Sequence, residues 1–246
     1  MTRWRAPLAA LALLVAATAC ADEGGIATRD IVATIPWSDG EAPLTYSIVD
    51  DGKERGRATL SITREDGHVL LEQSSSDGEG NSDVSVVTAD PATLKPLAMR
   101  RTVINEDGRA VVDASYEAEI VRIRQTNFDP PDETTPDNTR ENPLRLPEHG
   151  YENHSSLFLW RTITFEENYT VTYTTIISNR RETQDVTLTV VGRERVETPA
   201  GQFDAWHLRI EPEESDAQDA WYATSPEHRL LVYDNNDSVF LLVADG

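Results

Sequence analysis

Histidines and acids at close spacing are where metal or acid–base chemistry would begin. The chain has five histidines, His68, His149, His154, His207 and His228. Only His149 and His154, with Glu152 between them, stand close enough to suggest a shared metal. Zinc needs three or four ligands in a defined geometry, and these three straddle an expected loop-to-helix junction. Asp77-Gly78-Glu79-Gly80-Asn81-Ser82-Asp83 sets side-chain oxygens at every second position, as the start of a calcium loop does. The glycine such a loop needs at its sixth place is Ser82, and the glutamate at its twelfth is Thr88. A hairpin tip is the simpler reading, with weak calcium binding left open. There is no G-x-S-x-G elbow, no H-E-x-x-H pair, no phosphate-cradling glycine loop and no cysteine pair. The sequence therefore points to no catalytic residue, no metal ligand set and no cofactor, and a metal-dependent or acid–base enzyme is its most remote reading.

The one cysteine, Cys20, has a different chemistry in view. Arg3 and Arg5 precede an apolar run from Leu8 to Ala19, too short to span a bilayer as a helix, and the run ends in Ala17-Thr18-Ala19-Cys20. That ending resembles the lipobox of bacterial lipoproteins, although Ala17 replaces the usual aliphatic residue. The resemblance implies a signal peptide over residues 1–19 and a lipidated Cys20 at the head of a short tether, residues 20–26. The alternative is an ordinary signal peptide that leaves Cys20 free. Either way a lone cysteine allows no internal disulfide. The expectation is an exported protein held in the bacterial cell envelope by its acyl chains, on the periplasmic or the extracellular face.

Loss of Arg3 and Arg5 with the signal peptide takes the formal net charge from −21 to −23. A chain so acidic is repelled by phosphate backbones, which excludes nucleic acid as a partner.

The elements that must carry these residues are strands. Arg57-Ala58-Thr59-Leu60-Ser61-Ile62-Thr63 alternates polar with apolar side chains, and so does Tyr169 to Thr174, with Tyr169, Val171 and Tyr173 opposite three threonines. This period of two marks half-buried antiparallel strands. Asp50-Asp51-Gly52, Glu65-Asp66-Gly67, Glu106-Asp107-Gly108 and Pro199-Ala200-Gly201 punctuate them with turn chemistry. The spacing predicts roughly ten strands in meander order. Val239 to Val243, apolar on both faces, is expected to be covered on both sides. Two segments break the pattern. Residues 128–150 are proline-rich and acidic and read as an irregular loop; Glu152 to Thr164 reads as the one helix, with Leu157, Trp160 and Ile163 near one face. In Val190 to Ile210, Gly192 suits a bulge and Gly201 a turn, with Trp206, Leu208 and Ile210 on one face and His207 and Arg209 on the other.

The run V-G-x-E-x-V-x-T-P-A-G-x-F-x-A over Val191 to Ala205, followed by Trp221-Tyr222, resembles the C-terminal half of a family of uncharacterised bacterial envelope proteins of unknown function. Asp90 to Leu97 and Leu159-Trp160-Arg161 are similar to other segments of it. The resemblance implies a lipocalin-like or lipoprotein-carrier-like β fold and supplies no catalytic residues.

The expected fold is all-β: one domain over residues 27–246, a single antiparallel barrel or strongly curved sheet in meander order with one short helix packed against it. Inside such a sheet an apolar cavity is the usual ligand site. Phe158, Trp160, Tyr169, Val171, Tyr173, Trp206 and Leu208 are its candidate lining, with plain core packing as the simpler role for each. The sequence reading is thus a membrane-anchored binding module for a lipid or apolar small molecule. Its alternative is an envelope scaffold with a filled core that engages another envelope protein.

Overall fold

The computed structural model describes residues 27–243, so the signal peptide, Cys20 and the whole of the tether lie outside the described residues. Fifteen strands form one sheet. The first run is β1 (Leu44–Asp50), β2 (Lys53–Glu65), β3 (His68–Ser76), β4 (Ser82–Ala89), β5 (Pro96–Asn105), β6 (Gly108–Tyr116), β7 (Ile120–Phe128) and β8 (Asn138–Arg145). The second is β9 (Gly150–Glu152), β10 (Thr170–Ile177), β11 (Glu182–Thr198), β12 (Gly201–Pro212), β13 (Gln218–Ala223), β14 (Leu230–Asp234) and β15 (Val239–Leu242). Each run is a meander, and the two join where β1 pairs with β15, which leaves β8 and β9 as the ends of the sheet. Among the fifteen strands only β9 with β10 is a parallel pair.

That order forces the sheet to curl. Arg145 and Gly150 end strands at opposite extremes of the sheet, yet five residue steps separate them, a reach of at most about 18 Å. The ends approach without pairing, so the barrel is curled and not closed. Asp51 (φ 48°) with Gly52 (φ 72°), and Asp66 (φ 50°) with Gly67 (φ 81°), supply the two positive φ values of a tight hairpin turn at the places the Asp-Gly pairs predict.

The core lies on the inner face. Ala58, Leu60, Val69, Leu71, Val87 and Met99 from the first run meet Val171, Tyr173, Leu188, Leu208, Ala220 and Tyr222 from the second. The expected helix is shorter and broken: a 3-10 turn Asn153–Ser155, then α1 (Ser156–Leu159), then a 3-10 turn Trp160–Thr162. All four residues of α1 are buried. A segment buried on every side plugs the curl rather than lying amphipathically on it. Before the sheet, residues 31–41 are locked down by a buried ion pair, in which Arg161 Nη2 donates to both Glu41 carboxylate oxygens at 2.9 and 3.0 Å and to the Glu227 carbonyl at 2.8 Å.

Three further expectations need correcting. Strands number fifteen rather than about ten, because long irregular-looking stretches still pair. The segment 128–150 is not wholly a loop: it contains β8, whose partner β7 satisfies its backbone despite an apolar-poor sequence. Val239 to Leu241 are half-buried rather than covered on both faces, although β15 does lie inside the sheet.

Candidate functional site

The side chains expected to line a cavity are found together in a packed interior. Phe158 is 1% exposed, and Val171, Tyr173 and Leu208 are fully buried. Trp160 Nε1 donates to the Tyr173 hydroxyl at 3.0 Å, and Tyr151 meets Tyr173 edge-on at 5.9 Å. Burial pushes the Tyr173 hydroxyl above its usual range, against the pull of the indole N–H. Trp206 sits at the margin, stacked on Phe165 at 6.1 Å with the Arg193 guanidinium 4.1 Å from its ring. Tyr169 is half-buried, with Arg29 5.6 Å from its ring.

One polar cluster penetrates this interior. Glu152 is fully buried; its Oε2 accepts from Ser178 Oγ at 2.5 Å and from the Tyr116 hydroxyl, and its Oε1 faces His154 Nδ1 at 2.7 Å. Burial first, and then the Glu152 charge, hold the Tyr116 hydroxyl well above the usual tyrosine range. Acid, histidine and serine invite comparison with a nucleophile relay, but the order is wrong for one. The serine hydroxyl donates straight to the carboxylate and His154 meets the other carboxylate oxygen, so no imidazole stands between acid and serine as such a relay requires. The cluster instead ties β6 to β9 and the end of β10 across the gap in the barrel.

His149 Nδ1 lies 3.1 Å from Asp30 Oδ1, while His154 turns to Glu152, so the two do not converge on one point. Among the described residues no group of three or more His, Cys, Asp or Glu is placed to hold a metal. Asp77 accepts the backbone N–H of Glu79 at 2.8 Å and of Asn81 at 3.2 Å, and also the Asn81 side chain; the bonds from Asn81 and then Glu79 hold its carboxyl below the usual range. That is a self-capped hairpin tip. The expected bulge falls on β11 between Val190 and Gly192; on β12, Trp206, Leu208 and Ile210 face the core, and His207 and Arg209 both meet Asp219, at 2.7 and 2.6 Å. His207 also stacks on Trp221 at 4.8 Å.

A recess of about 870 Å³ lies elsewhere, across β4 to β8. Strand register explains it. Val87, Met99, Ala114 and Ile123 form one cross-strand row on the inner face. The rows on either side, Val86-Arg100-Asp113-Arg124-Glu141 and Thr88-Ala98-Ser115-Arg122-Pro143, therefore point outward. Small side chains at Ala98 and Ser115 between long ones at Arg100, Arg122 and Arg124 make a trough with an apolar floor and a charged rim. Arg100 is held by Asp113 at 3.0 Å and Arg122 by Glu117 at 2.9 Å, whereas Arg124 reaches Glu141 only at 3.9 Å. Sequence reasoning missed this trough. Its only signal is an arginine at every second place, Arg122 and Arg124, on one strand.

A family profile described as a protein of unknown function (DUF3108) matches residues 42–238. No curated protein matches the sequence. Among solved structures, the chain is similar to a β-barrel-like protein of the domain of unknown function DUF1849 from Brucella abortus. They share 12% identity over 82% of this chain and 95% of that one, with a TM-score of 0.49. A second is a protein from Bacteroides fragilis whose export is inferred and whose fold is named YmcC-like, at 14% identity, coverage of 87% and 98%, and a TM-score of 0.31. The strand pairing itself, rather than either superposition, defines the fold.

Proposed function

This chain belongs to the family of proteins of unknown function DUF3108, which carries no activity to inherit, and from that premise we propose a non-enzymatic binding module of the cell envelope, anchored through Cys20. Its ligand is amphiphilic and lies in the trough across β4 to β8. The observation that carries this reading is the trough itself: an apolar floor at Val86, Ala98 and Pro143 beside the loosely paired Arg124. Binding sites of this size are mostly apolar with a few placed polar groups that fix orientation. An acyl chain fits the floor and an anionic head fits the guanidinium.

The packed interior supports a second reading, an envelope scaffold with a filled core, and one titration separates the two. The Cys20→Ser protein is titrated with a fluorescent fatty acid. Saturable binding is expected, weakened at least tenfold by Ala98→Trp at unchanged melting temperature. Arg124→Glu should weaken the fatty acid more than the matching fatty alcohol. Absence of saturation, or indifference to Ala98→Trp, leaves the scaffold reading. The anchor is tested separately: Cys20→Ser should move the protein from the membrane fraction to the soluble one.

A further inference from the structure

Three large apolar side chains are exposed among the described residues, Leu97, Ile120 and Val191, and two of them share one end of the sheet. Ala98 pairs with Ser115 and Tyr116 with Val121, which sets Leu97 level with Val121, two strands away and one residue from Ile120, so Leu97 and Ile120 lie about 10 Å apart. Ile120 precedes Arg122 by one outward position, so it stands at the margin of the trough. The N-terminal segment is fastened at this same end. Asp30 contacts Lys95 Nζ at 2.5 Å, Lys95 comes two residues before Leu97, and Thr28 bridges in parallel to Thr172. Eight residue steps separate Thr28 from Cys20, a reach of at most about 29 Å.

We propose that this end, led by Leu97 and Ile120, rests on the bilayer that holds Cys20, so that the trough opens at the lipid surface. The proposal builds on the lipid-anchored binding module above and adds its orientation. Two partly exposed side chains cannot hold a domain on a membrane, but they can orient one that an anchor already keeps at high local concentration. Glu117 and Glu119 lie just before Ile120, so the contact suits a zwitterionic surface rather than an anionic one. An amphiphile leaving such a surface would meet the trough without crossing water.

The test uses the full chain in its host membrane with a photo-crosslinking amino acid placed singly at Leu97, at Ile120 or at Asp107. Asp107 lies in the turn at the opposite end of β5 and β6. Mass spectrometry should find lipid adducts at positions 97 and 120 in at least tenfold excess over position 107. Equal yields at all three positions, or adducts only at position 107, in protein that remains membrane-bound would overturn the orientation while leaving the anchor intact. Protein absent from the membrane fraction would overturn the anchor and the orientation together. Failure of the trough reading shows instead in the fatty-acid titration, which needs no membrane.

Discussion

The indole N–H of Trp160 and the hydroxyl of Tyr173 meet at 3.0 Å in the middle of the curl, where both side chains are buried. This bond joins the helical plug to the sheet. Trp160→Ala should cost about 3–5 kcal/mol as a large-to-small core change. Trp160→Phe should cost less, about 1–3 kcal/mol, by leaving a buried hydroxyl without its donor. Urea denaturation measures both, and ligand affinity at the trough should be unaffected in either folded variant. A mobile lid would give the opposite pattern: little loss of stability and a large loss of affinity.

Glu41 and Arg161 form an ion pair in which the side chains are 6% and 3% exposed. Removing the acid alone leaves a cation in a low-dielectric site, so Glu41→Leu should destabilise by about 3–5 kcal/mol. Replacing both, as Glu41→Leu with Arg161→Met, should recover most of that loss. If the double variant is as unstable as the single one, the penalty lies in packing rather than in the stranded charge.

His228 lies 4.3 Å from the Phe165 ring, with Nδ1 3.1 Å from the Ala223 carbonyl. Burial lowers its affinity for a proton; the Ala223 carbonyl opposes this and the Arg161 cation adds to it, with a net shift below the usual histidine value. An imidazole depressed in the folded state takes up a proton more readily once unfolded. Its share of stability is therefore full above about pH 6.5 and is lost as pH falls through the folded value. His228→Gln should flatten that part of the stability profile. A wild-type profile and a variant profile that stay parallel from pH 7 to pH 5 would refute the assignment.

β8 pairs with β7 alone, and Pro143 lies opposite Arg122 within it. A proline offers no N–H, and together with Arg140, Glu141 and Arg145 it makes this edge a poor template for another strand. Pro143→Val should raise concentration-dependent self-association in sedimentation velocity. A monomer at every concentration would show that the charges suffice by themselves.

The fold was largely legible because its determinants are local. Alternation in Arg57 to Thr63 and the Asp-Gly turns at Gly52 and Gly67 name strand and hairpin within a few residues. β8 escaped because Asn138 to Arg145 has little apolar alternation and follows three prolines, and only pairing to β7 makes it a strand. The helix was legible in place, within Glu152 to Thr164, but not in length, because Ser155 to Thr162 is buried on every side, its serines, Arg161 and Thr162 included, and no solvent-facing side marks where the turns change. The trough was not legible for a different reason. Ala98, Ser115, Arg124 and Pro143 sit on four strands, each ordinary in its own context, and only the register sets them side by side. Glu152 shows the same limit, since its partners Tyr116, His154 and Ser178 are up to 36 residues away and nothing near it marks a buried acid.

The pairing of Tyr46 with Leu242 sets a schedule for folding. β1 is made first and β15 last of the fifteen strands, so β1 must wait until all the others are made for its second neighbour, while β2 to β8 can zip onto it by hairpins alone. Sequence-distant pairing of this kind makes closure the slow step. A chain cut before Val239 would still form both meanders but would leave β1 and β14 with raw edges facing each other across an empty slot. Completion is therefore all-or-none at the last strand of the sheet, and an unfinished molecule differs from a finished one by a pair of sticky edges that a protease or chaperone can detect.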